Sequence, residues 1–184
     1  MIQSRVAMRY AMALFQEAQQ HNLLETVIED VRGLTTMLKE SRDFALFVSS
    51  PIIKASQKQA VLTAIADKAC LAKLTHTFLA LLVEKNRIAE LRDILAAFKT
   101  LYNNAHNLLP VEITSAIELD STQKEHLLRT IEKRTGKKPL PTYSINPSLI
   151  GGFTVKIGDT LIDSSLRHQL TLLKQRLLEG TLSN

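Results

Sequence analysis

A single cysteine stands among 184 residues, so no internal disulfide can form, and a secreted framework stapled by disulfides is excluded. Cys70 lies in an alanine- and leucine-rich stretch, where a free thiol is expected to pack as a small buried hydrophobe. No apolar run approaches the roughly 18 residues that cross a bilayer as a helix. The N-terminus enters an amphipathic pattern without a basic-then-apolar leader. These absences predict a soluble protein of a bacterial cytoplasm, or a mature form from which a transit peptide has been trimmed.

Charge of one sign is not concentrated anywhere. The net charge of +5 divides as 13 basic against 10 acidic residues through residue 105, and 10 against 8 after it. Lys137 and Lys138 beside Arg134 form the one dense basic cluster, at a predicted helix end where cations are favoured anyway. No aromatic residues interleave it, as single-strand nucleic-acid binders require. The five histidines, at 21, 76, 106, 126 and 168, lack the paired spacing and cysteine partners of a zinc site. His21 and Glu25, four apart, read as a surface contact on a helix rim.

Nucleotide chemistry is missing as well. Gly136-Lys137 lacks the preceding glycine of a phosphate loop, and Gly151-Gly152 enters a strand where a dinucleotide fingerprint needs glycines opening a helix. Asp159 and Asp163 share one hairpin, yet Asp beside Gly is a turn preference and Asp163 stands where a helix cap would. The expectation is a non-enzyme without cofactor, metal or catalytic residues.

What is present is helical periodicity, then alternation. With 45% apolar residues the chain can bury roughly two-thirds of its unfolded surface. Residues 1–105 predict an all-α six-helix bundle. Leu24, Val27, Ile28, Val31, Leu34 and Leu38 mark the second helix, and a short third near Phe44 to Val48 is stopped by Pro51. Ser56 and Gln59 form a capping-box pattern before the fourth, Leu71 to Val83 are the fifth, and Ile88 to Tyr102 the sixth. Residues 106–184 predict a small α+β domain: a strand at Val111 to Thr114, a helix from Ser121 to Arg134 ended by Gly136, and a strand at Leu140 to Tyr143. A hairpin and a final helix follow. There Asn146-Pro147 initiates a turn, Gly151 and Gly152 admit a crowded backbone, and Phe153, Val155 and Ile157 alternate with polar residues. Gly158-Asp159 closes the hairpin, and Ser164/Ser165 start a helix carrying Leu166, Leu170, Leu173 and Leu177.

The first and fifth helices have more apolar surface than a bundle position requires. Val6, Tyr10 and Ala13 widen the stripe of Ala7, Ala11, Leu14 and Ala18 to roughly 200°, where about 100° suffices. Leu71, Leu74, Phe78, Leu81 and Leu82, with Leu79 and Val83, do the same in the fifth. Either both helices are central in the bundle, or together they offer a groove to a partner helix.

The block from Asn146 to Leu177, with Pro147, Gly151, Gly152, Ile157, Gly158, Asp159, Asp163, Ser165 and Arg167, resembles the C-terminal signature of the delta subunit family of F-type ATP synthases. In mitochondria this is the oligomycin-sensitivity-conferral protein family. Val6-Ala7, Arg9-Tyr10-Ala11 and Ala13-Leu14-Phe15 resemble its opening helix, with Ser50-Pro51 and Asn86-Arg87 between. Two turn positions depart from its pattern, Asn146 where Asp is usual and Ser164 where Gly is usual, and the second puts the hairpin exit in question. The resemblance implies a non-catalytic stator subunit peripheral to the cytoplasmic face of the bacterial inner membrane. It implies a bundle that binds the N-terminal helix of an alpha subunit through Tyr10, Ala13, Phe78 and Leu81, and a C-terminal domain that holds the b subunits of the peripheral stalk. The alternative from another class is a basic two-domain nucleic-acid-binding protein, which would show steep salt dependence.

Overall fold

The computed structural model describes residues 5–181, with side chains through residue 175. The chain divides into two compact units, Met1–Ala105 and His106–Asn184.

The first unit is a bundle of α1 (Arg5–Gln20), α2 (Leu24–Glu40), α3 (Arg42–Ser49), α4 (Ala55–Lys68), α5 (Lys73–Glu84) and α6 (Leu91–Ala105), with a 3-10 turn at Ile88–Glu90. α1 packs chiefly on α6. Ala7, Ala11 and Ala18 on that face are fully buried, and side chains this small let the two backbones approach closely. Phe15 meets Phe98 edge-on at 6.0 Å between ring centroids. Val27, Val31, Leu34, Leu82, Leu91 and Ile94 complete the core.

Three helices end by one device. Asn22, Cys70 and Asn86 take positive φ of 55°, 51° and 57° after α1, α4 and α5. At each, the next residue's N–H reaches back five positions to a helix carbonyl: Leu23 to Ala18, Leu71 to Ala66 and Arg87 to Leu82. This corrects the expectation for Cys70, which is exposed. The left-handed residue that ends α4 stands outside the packed faces, so its thiol is not in the core. The same closure takes up Leu71, and α5 therefore begins at Lys73.

Two further expectations are corrected. α4 opens at Lys54 without a side-chain cap, so Ser56 and Gln59 lie inside the helix and form no capping box. His21 contacts Glu17 at 3.1 Å and not Glu25. Glu25 instead accepts the Tyr102 hydroxyl hydrogen bond at 2.9 Å, tying α2 to α6, and burial raises the Tyr102 pKa above its ordinary value.

The second unit runs β1 (Leu108–Ser115), α7 (Ser121–Thr135), β2 (Lys138–Ile145), β3 (Phe153–Ile157), β4 (Thr160–Asp163) and α8 (Leu166–Thr181). The sheet order is β2-β1-β3-β4, with β1 and β2 parallel across the α7 connection and the other pairs antiparallel. Its core is Val111, Ile113, Val155 and Ile131, supported by Leu127, Leu128 and Phe153. A capping box does exist here: Asp120 accepts from the Gln123 N–H, and the Gln123 side chain accepts from the Asp120 N–H. The positive φ of Gly136 ends the helix. Lys138 N–H points to Asn107 and Asn146 N–H to Ser115, so the alternate positions of β2 face outward. Pro139 and Pro141 occupy two of them and leave the edge fewer donors for strand addition.

The signature residues build the hairpin and its exit. Asn146 accepts from the Ser148 N–H, and Pro147 opens a 3-10 turn. Gly158 turns the hairpin at φ 58°, with Asp159 exposed beside it. Asp163 accepts from the Ser165 N–H at 2.8 Å, and hydrogen bonding from the Ser165 side chain and then from that N–H holds its carboxyl below the usual range. Buried Ser165 accepts from the His168 N–H and caps α8. Ser164 needs no left-handed backbone: its N–H donates to Phe153, and the hairpin exit closes without glycine. A Cβ on Gly151 would lie 2.6 Å from the Leu166 side chain, and one on Gly152, at φ 76°, would lie 2.4 Å from the Ser164 carbonyl oxygen. The Gly152 clash is with backbone and has no side-chain escape. Gly152→Val is therefore expected to unfold the second unit while the helical bundle retains its own melting transition, and a second unit that melts as in the wild type contradicts this reading.

Candidate partner-binding site

α1 packs on α6 and α2, and α5 packs on α4, but the two helices leave an open groove of about 760 Å³ between them. Tyr10, Ala13, Phe78 and Leu81 all line it, together with Val6, Leu14, Leu74 and Thr77. The four residues predicted to share a surface are thus brought together.

They do not play one part. Phe78 is only 7% exposed and belongs largely to the core, where Leu79, Leu82 and Val83 of the same helix are also buried. Leu81 is 39% exposed, Ala13 is exposed and Tyr10 is half-buried. The excess apolar arc therefore splits: one side of each helix fills the bundle, and the other forms the floor of the groove. A groove of this volume suits one face of a helix of about three turns.

Sequence reasoning missed what holds the α5 wall in place. Ala72, at the N-cap of α5, has no side chain that could cap the helix. Buried Asp30 on α2 supplies one from outside, its Oδ2 accepting the Ala72 N–H at 3.0 Å and the hydroxyl of buried Thr75. The capping partner lies 42 residues away in sequence, beyond the reach of any local pattern. Lys58 does the reverse at α3: its buried ammonium donates to the Val48 carbonyl at 2.9 Å, and desolvation lowers its pKa.

The second unit carries exposed apolar residues of another kind. α8 touches the rest of the unit through the Pro147–Leu149 turn, and Leu166 stands against Gly151. Leu166, Leu170 and Leu173 are about half exposed, and recur at helical spacing along one side. Leu177 lies outside the described side chains. A cleft of about 470 Å³ lined by Ile117, Leu119, Leu127 and Phe153 opens in the same unit. No group of three or more His, Cys, Asp or Glu that could hold a metal ion occurs among the described residues.

Comparison with known proteins fits this arrangement. The family profile described as ATP synthase delta (OSCP) subunit matches residues 6–177. The chain belongs to the ATP synthase delta (OSCP) subunit family. The ATP synthase subunit delta of Desulforamulus reducens is 35% identical over 98% of this chain and 99% of its own length. That of Chlorobaculum parvum is 37% identical over 92% and 93%. A chain in the cryo-EM structure of the Toxoplasma gondii mitochondrial ATP synthase hexamer superposes with a TM-score of 0.73 at 26% identity, covering 95% of this chain and 98% of that one. Delta-family membership makes the protein a non-catalytic stator subunit of the F-type ATP synthase and leaves the nucleic-acid alternative without support. Among the described residues no helix is long and apolar enough to cross a membrane, in keeping with peripheral association with that complex.

The capping of α5 generates a prediction. Asp30→Leu leaves the Ala72 N–H and the Thr75 hydroxyl without their acceptor and should lower the stability of the bundle by about 2–3 kcal/mol in urea unfolding. Asp30→Asn keeps an oxygen at the same place and should recover most of it. An unchanged midpoint for Asp30→Leu would show that α5 is held by packing alone.

Proposed function

We propose that this delta-family subunit joins the catalytic head of the ATP synthase to its peripheral stalk, with one partner on each unit. The bundle receives the N-terminal helix of an alpha subunit along α1 and α5. The second unit holds the far end of the b subunits, and the complex lies against the cytoplasmic face of a bacterial inner membrane. The observation that carries the reading is the α1/α5 groove, whose apolar floor is left open beside the faces that the two helices bury in the bundle. The exposed leucines along α8 support the stalk assignment, because a stripe at this spacing packs against another helix in the manner of a coiled-coil seam.

The function is mechanical. Rotation of a central shaft drives conformational change in the head only if the head is kept from turning with it, so the subunit must hold both partners under load. Burying a helix in an apolar groove serves that need, since apolar area contributes roughly 25 cal/mol per Å² before the costs of association.

Ala13 tests the groove directly. It is exposed and lines the groove, so Ala13→Asp should leave the thermal unfolding of the bundle unchanged. A carboxylate buried against an apolar helix without a partner should weaken binding of an alpha N-terminal peptide by about a hundredfold or more, roughly 3 kcal/mol. Undiminished peptide binding by a folded Ala13→Asp protein removes the assignment.

A further inference from the structure

The groove is charged unevenly along its length. Arg5 and Arg9 stand one turn apart on α1 and both line it, and like charges at this spacing repel. Neither forms an ion pair among the described residues. Arg87, which also lines the groove, is paired with Glu90 at 3.0 Å, and Arg32 and Arg129, on other parts of the chain, each have a glutamate three or four residues away at 2.6 Å. Farther along the same helix Glu17 lines the groove, eight residues beyond Arg9, which is about 12 Å along the axis at 1.5 Å per residue. The groove thus has a cationic end and an acidic end, with an apolar floor of Tyr10, Ala13 and Leu81 between them.

This inference rests on the groove being the seat of a partner helix. We infer that the occupant is an amphipathic helix with carboxylates in its first turns and a cation about eight residues later, seated parallel to α1 with its N-terminal end beside Arg5 and Arg9. A helix is itself stabilised by acidic residues near its N-terminus and basic ones near its C-terminus. Such a helix meets opposite charge at both ends of the groove only when it runs parallel to α1. Turned around, it places carboxylate on Glu17 and cation on Arg5 and Arg9. The apolar floor fixes that the helix binds, and the two ends fix which way it points. A phosphate backbone would meet the two arginines but also Glu17 and the apolar floor.

Three synthetic peptides with one apolar face test this on the full-length protein: acid-first and base-last, the reverse, and a glutamine-substituted neutral form. The acid-first peptide is expected to bind about tenfold tighter than the reverse at roughly 20 mM salt, with the gap closing near 0.5 M. Arg9→Glu should shift preference toward the reversed peptide. A nitroxide on the N-terminus of the acid-first peptide should broaden amide signals around Arg9 more than those around Glu17. Equal affinities for all three peptides, or broadening centred on Glu17, overturn the charge polarity while leaving the helix seat intact. Failure of every peptide to bind overturns the seat and the polarity together. An oligonucleotide that binds in an Arg9-dependent way and displaces the peptides overturns the helix as the occupant.

Discussion

The close approach of α1 to α6 is the constraint on which the site depends. Ala7, Ala11 and Ala18 give α1 a narrow, flat face that seats it on the bundle together with Leu14 and the Phe15–Phe98 contact. Val6 and Tyr10, half-buried at the edge of the core, and exposed Ala13 lie farther around the helix and line the groove. Larger side chains at the alanine positions would push the helix outward and change the width of the groove as well as the packing. Stability and the width of the groove are therefore coupled through the same three small residues. Asp30 has the corresponding part for the opposite wall, since it fixes where α5 starts.

Helix and strand types were legible because periodicity is strong and each element has its own apolar face. Local closures were less so. The Ser56/Gln59 pattern resembles a capping box but lies within α4, while the working box at Asp120 and Gln123 matched the same rule and went unread. The exposure of Cys70 could not follow from its apolar neighbours. It depends on a left-handed residue closing α4, a backbone requirement that composition does not carry. The apolar spacing shows the surplus arc on α1 and α5 but not its division, because that is decided by which neighbouring helix covers each side. Phe78 lines the groove yet belongs mostly to the core. The arginines at one end of the groove carry no apolar periodicity, so the stripe on α1 does not announce them.

The hairpin signature makes sense as one interlocked closure. Gly152 must lie flat against the Ser164 carbonyl, Asp163 holds the Ser165 amide, and Ser165 caps α8. Every member sets the exit direction of the last helix. Ile150 shows the same crowding from the other side, with a φ of 68° that a β-branched residue rarely adopts. The result is a helix anchored at its first turn, with its leucines exposed beyond it. These residues read as catalytic candidates only if the geometry is ignored; their carboxylates and hydroxyls are engaged in turns and caps.

The central claim is that one chain holds the head and the stalk at once through separate units. Immobilised soluble b-subunit stalk should capture the catalytic head only when the full chain is added. Excess alpha N-terminal peptide should then release the head while the chain stays on the stalk. Release of the chain from the stalk by that peptide, or capture of the head without the chain, would contradict the account.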